Sequence, residues 1–372
     1  MFNKLIEKKY DLKRNQVTNK VLFKLKKENE YRELDSIAFN TILLELEKKG
    51  YKISPQKFDM YLYSDLVTSF DPFKEYFENL PEWDRKTDYI EQLAATIKTT
   101  NDEYLSKFFK KFIVAMVGCS YREDVVNQTV LILSGEQGCG KTTWFRNLIP
   151  KELNQYIFEG SIIANDKDTK FHLADKLLIN MDELTCFGRS QNEFYKGLIT
   201  LNYIEQRRPY TRQTIRLMRR ASFVGGTNHT EILTDLTGNR RYLCVEALSI
   251  NNNNTVDINK VYSQALYLLN SGFKFYLDQD EIKLVELENK KFLQTSEEFD
   301  LIEQLFCQPD GATDSVFMSA SEVLDYIKAN LKPHKNFSVE QIGKTLISQG
   351  FKKRTRQKKY ELVFKKTLKI AS

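Results

Sequence analysis

Thr129-Val-Leu-Ile-Leu-Ser-Gly135-Glu-Gln-Gly-Cys-Gly140-Lys141-Thr142-Thr143 decides the fold class of this 372-residue chain. Thr129 to Leu133 is short, apolar and rich in β-formers, and a glycine follows closely. Such a run fits a parallel strand buried on both faces. Gly135, Gly138 and Gly140 let the following loop wrap closely, so that backbone N–H groups can point at an anion. A helix predicted to start near Lys141 would add the positive end of its dipole. In the spacing GxxxxGK[ST], the lysine (Lys141) reaches the β- and γ-phosphates, and the hydroxyl (Thr142) reaches Mg²⁺. The expectation is an ATP-binding loop built from Gly135, Glu136, Gln137, Gly138, Cys139, Gly140, Lys141, Thr142 and Thr143.

Three further strand-like runs follow. Leu177-Leu-Ile-Asn-Met181 is apolar and ends in Asp182-Glu183. At that place Asp182 would hold the water shell of Mg²⁺ together with Thr142. Glu183 would polarise an attacking water, so the acid pair favours hydrolysis over a nucleotide kinase. Ala221 to Asn228 is a third run, and Asn228 stands where a polar side chain can contact the γ-phosphate or orient the water. Arg241 to Val245 is a fourth. Arg240 and Arg241 at its start suit an arginine finger acting on a neighbouring subunit's ATP; surface salt bridging is the alternative. Strands separated by helical stretches predict an α/β core with a parallel sheet.

Between Glu205 and Ala221 lie Arg207, Arg208, Arg212, Arg216, Arg219 and Arg220, with Pro209-Tyr210 among them and no acid. Arginine binds phosphate bidentately and stacks on bases. The six arginines and Tyr210 are therefore nucleic-acid candidates, against the alternative of a solvated turn.

The flanks read as helical. Asp35-Ser36 precedes an apolar helical pattern that Gly50 can end, Ser54-Pro55 opens another helix, and Tyr104 to Val117 carries aromatic and aliphatic residues at helical spacing. Beyond the polar run Asn251–Asn254, helices are predicted near 258–271, 278–294 and 296–306. Two Ser-capped helices follow, at 319–331 and 338–350, and then a basic hairpin at 351–364. The expected division is a helical N-terminal domain (1–100), a P-loop ATPase core (101–250), a helical extension (251–306) and a basic winged-helix-like module (307–372). The chain carries a net charge of +6. Residues 350–372 hold nine Lys or Arg against Glu361, which leaves the rest at −2. A basic tail on a near-neutral body points to a polyanionic partner. Five cysteines without a CxxC pair and three scattered histidines indicate neither a disulfide framework nor a zinc site. With no apolar run of spanning length and no signal-like N-terminus, the expectation is a cytoplasmic protein that does not enter a membrane.

Taken together, Asn127–Val245 resembles the virulence-associated protein E family of phage and mobile-element P-loop ATPases, which are similar to superfamily 3 helicases. The matching residues are Gly135 to Thr143, Lys167-Asp168, Asp182-Glu183-Leu184, Leu198-Ile199-Thr200, Arg207-Arg208-Pro209-Tyr210, Thr227-Asn228 and Asp235 to Arg241. The segment Phe70–Asp84 resembles the family's lead-in, and the helical part from Val261 looks like the extension of Bacteroides-type members. The resemblance implies an AAA+-like core with Lys141 and Thr142 as Walker A and Asp182 and Glu183 as Walker B. It implies Asn228 as sensor 1, Arg240 or Arg241 as the finger, and residues 203–220 as a hairpin projecting into a DNA channel. Such enzymes form hexameric rings with ATP between subunits, acting on single-stranded or forked DNA. Many relatives carry a primase-polymerase domain. The first 70 residues here are too few for one, so priming would fall to a separate primase. The expected activity is a DNA-translocating helicase-like ATPase. The rivals are an ATPase switch (a loader or defence regulator) and a DNA-binding assembly factor that needs ATP without unwinding.

Overall fold

The computed structural model describes residues 2–162, 167–181, 189–207, 214–233, 239–293, 297–309, 315–331, 336–354 and 358–365. The chain forms two compact units, Met1–Thr230 with Arg240–Asn289, and Glu231–Asn239 with Lys290–Ser372.

The first unit begins with a sheet where helix was expected. Helix α1 (Phe2–Lys9) runs directly into β1 (Tyr10–Asn15), and β2 (Val21–Leu25), β3 (Arg32–Glu33) and β4 (Thr68–Phe70) complete the order β3-β2-β1-β4. Strand β4 is parallel to β1, and the other pairings are antiparallel. Helices α2 (Ser36–Lys48) and α3 (Pro55–Leu62) start at the expected caps, Asp35 and Ser54. Tyr10, Leu12, Val21 and Phe23 from the sheet share one core with Ile42, Leu46 and Phe58 from the helices. The purely helical expectation for 1–100 is thus corrected. The two main strands do alternate, with Tyr10 and Leu12 inward and Val21 and Phe23 inward. Each is only five or six residues long, however, and is filled out with Lys, Arg and Leu, which are good helix formers.

Helices α4 (Pro72–Glu78) and α5 (Tyr89–Ala94), strand β5 (Ile97–Thr99) and the long α6 (Asp102–Tyr121) lead into the central layer. Fourteen of the twenty residues of α6 are buried, so this helix is part of the core rather than a surface element. The central layer then runs through β6 (Val130–Ser134), α7 (Lys141–Asn147), β7 (Ile157–Glu159), α8 (Lys167–Asp175), β8 (Leu178–Met181) and α9 (Arg189–Thr200). It continues with the hairpin β9 (Tyr203–Arg207)–β10 (Thr214–Met218), then β11 (Ser222–Thr227) and β12 (Tyr242–Ile250). The six-stranded sheet has the order β5-β12-β6-β11-β8-β7. Its five last-named strands are mutually parallel, and β5 closes one edge antiparallel to β12. Every residue of β6 is buried, as expected for a central strand covered on both faces.

Helices α10 (Ile258–Asn270) and α11 (Gln279–Asn289) belong to this unit as well. Tyr262 Oη donates to the Leu148 carbonyl at 3.0 Å, and Asn289 Nδ2 donates to the Tyr242 carbonyl at 2.8 Å. The Asn251–Asn254 run, expected as a boundary, therefore lies inside one compact unit, and the expected 251–306 extension is divided between the two.

The second unit holds α12 (Glu297–Leu305), β13 (Phe306–Cys307), β14 (Val316–Ser319), α13 (Ala320–Asn330), α14 (Val339–Ser348), β15 (Lys353–Arg354) and β16 (Lys359–Phe364). Strand β16 pairs antiparallel with β13, β14 and β15. Ser319 with Glu322, and Ser338 with Gln341, form capping boxes at α13 and α14, which fixes where each helix starts. Ile302, Val323, Ile327, Ile342, Leu346, Tyr360 and Leu362 form a core of their own.

Candidate functional site

The glycine loop leaves the carboxyl ends of the parallel strands. In register, Ser134 of β6 pairs with Thr227 of β11 and with Glu246 of β12, so β6 and β11 finish level while β12 runs on beside β5 to Ile250. Ser134 Oγ donates to the His229 carbonyl at 2.9 Å, and the Gly135 N–H donates to the Thr227 carbonyl at 3.2 Å. Both bonds fix the loop against the end of β11. The backbone passes too close for a side chain at Gly135, where an added Cβ would stand 2.6 Å from the Ala247 carbonyl oxygen. At Gly140 φ is +97°, and an added Cβ would stand 2.1 Å from Asn252 Nδ2. That amide donates to the Gly140 carbonyl at 3.0 Å.

Lys141, the first residue of α7, is buried. Its Nζ donates to the carbonyls of Gly135 (2.9 Å) and Glu136 (2.8 Å) and to Asn228 Oδ1 (3.0 Å), with Cys139 Sγ at 3.6 Å. An ammonium thus stands inside the loop, held by oxygens that an incoming anion could replace. Lys141 and Asn228, widely separated in sequence, are brought together here. Glu136, Gln137, Gly138 and Thr143 are exposed, and Cys139 and Thr142 are half-buried. Asp182 and Glu183 lie outside the described residues. Met181, the last described residue before them, is in register with Gly225, which pairs in turn with Ile132. Among the described residues no group of three or more His, Cys, Asp or Glu could hold a metal ion.

Arg240 and Arg241 stand elsewhere. They occupy a single 3₁₀ turn before β12, and the first residue of β12, Tyr242, is in register with Val130 at the start of β6. At about 3.3 Å per residue, β6 alone puts roughly 13 Å between that edge of the sheet and the edge carrying the loop. Both arginines line a cleft of about 470 Å³ with Asp124, Gln128, Tyr276 and Leu277. One copy of the chain does not bring these arginines to its own Lys141.

The arginine run divides. Strands β9 and β10 form an antiparallel ribbon with Glu205 opposite Arg216 and Arg207 opposite Thr214. Arg216 is exposed, and its guanidinium lies 3.9 Å over the Tyr203 ring. Arg208, Tyr210 and Arg212 lie outside the described residues, and of Arg207 only the strand position is described. Arg219 and Arg220 are corrections to the nucleic-acid set. Arg219 is 1% exposed. Its guanidinium donates to the carbonyls of Ala221 (3.0 Å), Asn127 (2.9 Å), Leu198 (3.4 Å) and Ile199. Burial lowers its pKa from the usual arginine value. Arg220 donates to the Ser120 carbonyl and to Asp71 Oδ2, each at 2.6 Å. The other carboxylate oxygen of Asp71 caps α4 through the N–H groups of Phe73 and Lys74. Both arginines are engaged in holding the core together and are not presented to a ligand.

Asn252 is the site residue that the sequence reading missed. Its only signal in the sequence is the four-asparagine run after a strand, which by itself reads as a polar break.

Comparison with solved structures gives "The apo structure of NrS-1 C terminal region (305-718)", at 12% identity over 97% of each chain with a TM-score of 0.49. It also gives "SCCmec type IV Cch - active helicase", at 12% identity over 95% of this chain and 92% of that one, with a TM-score of 0.37. No curated protein matches. No helix among the described residues is long and apolar enough to cross a membrane. The family model of the virulence-associated protein E-like domain matches residues 77–294, well over half of the chain. The chain belongs to the virulence-associated protein E-like family.

Proposed function

We propose that this protein is an ATP-hydrolysing, DNA-translocating helicase-like ATPase acting in the replication of a phage or mobile element. The observation that carries the proposal is Lys141, whose ammonium is held among loop carbonyls and Asn228 Oδ1 at the carboxyl edge of a parallel sheet. In that reading ATP is the substrate, and Lys141 exchanges its carbonyl partners for β- and γ-phosphate oxygens. Gly135 to Thr143 supply backbone N–H donors, and Asn228 orients the attacking water. Glu183 takes that water's proton. The Thr142 hydroxyl, with Asp182, would hold Mg²⁺; the hydroxyl is a hard oxygen donor placed beside Lys141. Magnesium is ordinarily held by one or two protein oxygens, with waters and substrate phosphates completing its shell. Magnesium, when bound, offsets charge on the transferred phosphoryl group.

Arg240 and Arg241 then serve a neighbouring copy, since the opposite edge of the sheet is out of reach of their own loop. This requires a homo-oligomer, which we propose to be a ring. Arg207, Arg208, Tyr210, Arg212 and Arg216 would follow a single strand of DNA, with priming left to a separate primase. The removal of Arg219 and Arg220 from that set favours, as a second reading, an ATPase switch that does not unwind.

The test is ATP hydrolysis by mixed variants. Lys141→Ala alone and Arg240→Ala/Arg241→Ala alone should each lose at least about 100-fold, the scale for a lost phosphate or charge-stabilising contact. Mixed, they should recover a measurable fraction of turnover, because each copy supplies what its neighbour lacks. Full activity of the arginine double variant would remove the finger assignment. Full activity of Lys141→Ala would remove this loop as the ATP site, and absence of hydrolysis by the parent would remove the ATPase reading.

A further inference from the structure

We propose that the second unit carries its own nucleic-acid contact, to the phosphate backbone of duplex DNA, made by the β15–β16 hairpin and not by the helix α14 that precedes it. The inference starts from where the charge lies. Among the described hairpin residues, Lys352, Lys353, Arg354, Lys358, Lys359 and Lys365 face a single acid, Glu361. Helix α14 holds one acid and one base, Glu340 and Lys344, paired with each other at 2.6 Å. Helix α12 holds four acids, Glu297, Glu298, Asp300 and Glu303, and no base. The unit is therefore polarised, with a basic hairpin, a neutral α14 and an acidic α12. A polyanion is drawn to the hairpin and repelled from α12.

The order of elements, helix–strand–helix–helix–hairpin, is that of a winged helix, in which the second helix of the pair ordinarily enters the major groove. The surface of α14 is poorly suited to that. Its exposed positions include Val339 and Ile347, 46% and 56% exposed, and its only base is already paired. The hairpin suits the backbone instead. Lys352, Lys353 and Lys358 are exposed, and neither Lys352 nor Lys358 makes an ion pair among the described residues. Arg354 lies 4.0 Å over the Phe317 ring, and Lys359 is 3.6 Å from Glu322. These contacts tie the hairpin to β14 and to the first turn of α13, and Glu322 offsets part of the Lys359 charge.

Duplex is favoured over single strands by the aromatic residues. Tyr360 is buried, Phe317 is covered by Arg354, and Phe364 packs on Tyr326 at 4.8 Å. Among the described hairpin residues only Phe364 keeps an exposed face, at 39%, about 16 Å along β16 from Lys359, and one ring does not make the row of stacking platforms that single-strand binding uses. Charge without such a platform reads phosphate positions and not sequence.

The experiment uses the full chain and a labelled blunt duplex of about 20 base pairs, followed by anisotropy across a salt series, with Lys352→Gln/Lys353→Gln/Lys358→Gln as the variant. Three lost phosphate contacts should make the log–log salt dependence shallower by about 2–3 and weaken binding about tenfold or more near 100 mM salt. The Lys→Arg counterpart at the same three positions should bind as the parent does, which separates lost charge from a damaged fold. Lys344→Ala should change affinity less than twofold, and duplexes of unrelated sequence should bind alike. Basal ATP hydrolysis should be unchanged in the Gln variant, so the result stands apart from the fate of the proposed function. An unchanged salt slope in the Gln variant overturns the inference. So does a Lys344→Ala loss as large as the triple variant's, or a loss confined to single-stranded DNA.

Discussion

Arg216 and Arg219 are three residues apart in one basic run, yet they do opposite things. Arg216 is on the open face of a two-stranded ribbon, stacked on Tyr203. Arg219 comes just after that ribbon, where the chain turns in to form β11, and it is enclosed. Its guanidinium bonds to backbone carbonyls from three places in the chain: the end of α9, Asn127 before β6, and Ala221. What separates the two is therefore backbone position and not residue type. A run of like charge in a sequence gives an upper bound on a binding surface. The strands it flanks decide how much of it remains available.

That contrast is broken or sharpened first at Arg219, where the largest effect is expected. Arg219→Ala would leave several buried carbonyls without donors, each a penalty of about 1–3 kcal/mol when it stays unpaired. Water entering the cavity would recover part of this, so we expect a net loss of about 3–5 kcal/mol of unfolding free energy in urea denaturation. Arg219→Lys should rescue only part of it, because one ammonium cannot reach the directions that a planar guanidinium serves. A loss below about 1 kcal/mol would show that the enclosure of Arg219 matters little and that the contrast with Arg216 is not energetic.

Arg220 should fall between the two. Its partner Asp71 also caps α4, so the pair joins the helix lead-in to the core. Both side chains are mostly buried, at 13% and 15% exposure. Breaking the pair by Arg220→Ala should cost about 1.5–3 kcal/mol, the range for hydrogen bonds to a charged group. Arg220→Ala and Asp71→Ala combined should cost clearly less than the sum of the two single variants if the bond is what matters. Strict additivity would count against it.

The parts of this molecule that could be read from sequence are those where a local pattern and the tertiary role agree. Strand β6, the glycine spacing and the start of α7 were legible, because a fully buried strand must be apolar and a close backbone turn needs glycine. The bond between Lys141 and Asn228 was not legible: the sequence placed Asn228 only where it could reach a γ-phosphate or a water, and the contact comes from the approach of β11 to the loop. Strands β1 and β2 were not legible, since their alternation is short and their fill is lysine and leucine. Strand β7, three residues long, is too brief to show any period. Asn252 was hidden because nothing local distinguishes it from its three asparagine neighbours. Its role comes from Gly140, 112 residues away. Arg219 was misassigned for a related reason: the carbonyls that enclose it come from α9 and from the approach to β6, and a sequence window sees neither.

The smallest effect on stability is expected at Arg216, and it carries the most information about function. An exposed cation over an aromatic ring contributes about 0.5–1 kcal/mol, so Arg216→Ala should unfold within about 1 kcal/mol of the parent. If the ribbon follows single-stranded DNA, the same substitution should remove most of the DNA stimulation of ATP hydrolysis while leaving turnover without DNA intact. Tyr203→Phe keeps the ring beneath the guanidinium and should retain the stimulation. Tyr203→Ala should lose part of it, because Arg216 then has no surface to hold it in place. A variant at Arg216 that stays folded and fully stimulated would mean that an exposed arginine on an open ribbon is as silent toward DNA as a buried one. Arg216 would then leave the nucleic-acid set as Arg219 and Arg220 did, and the stimulation would have to rest on Arg207, Arg208, Tyr210 and Arg212.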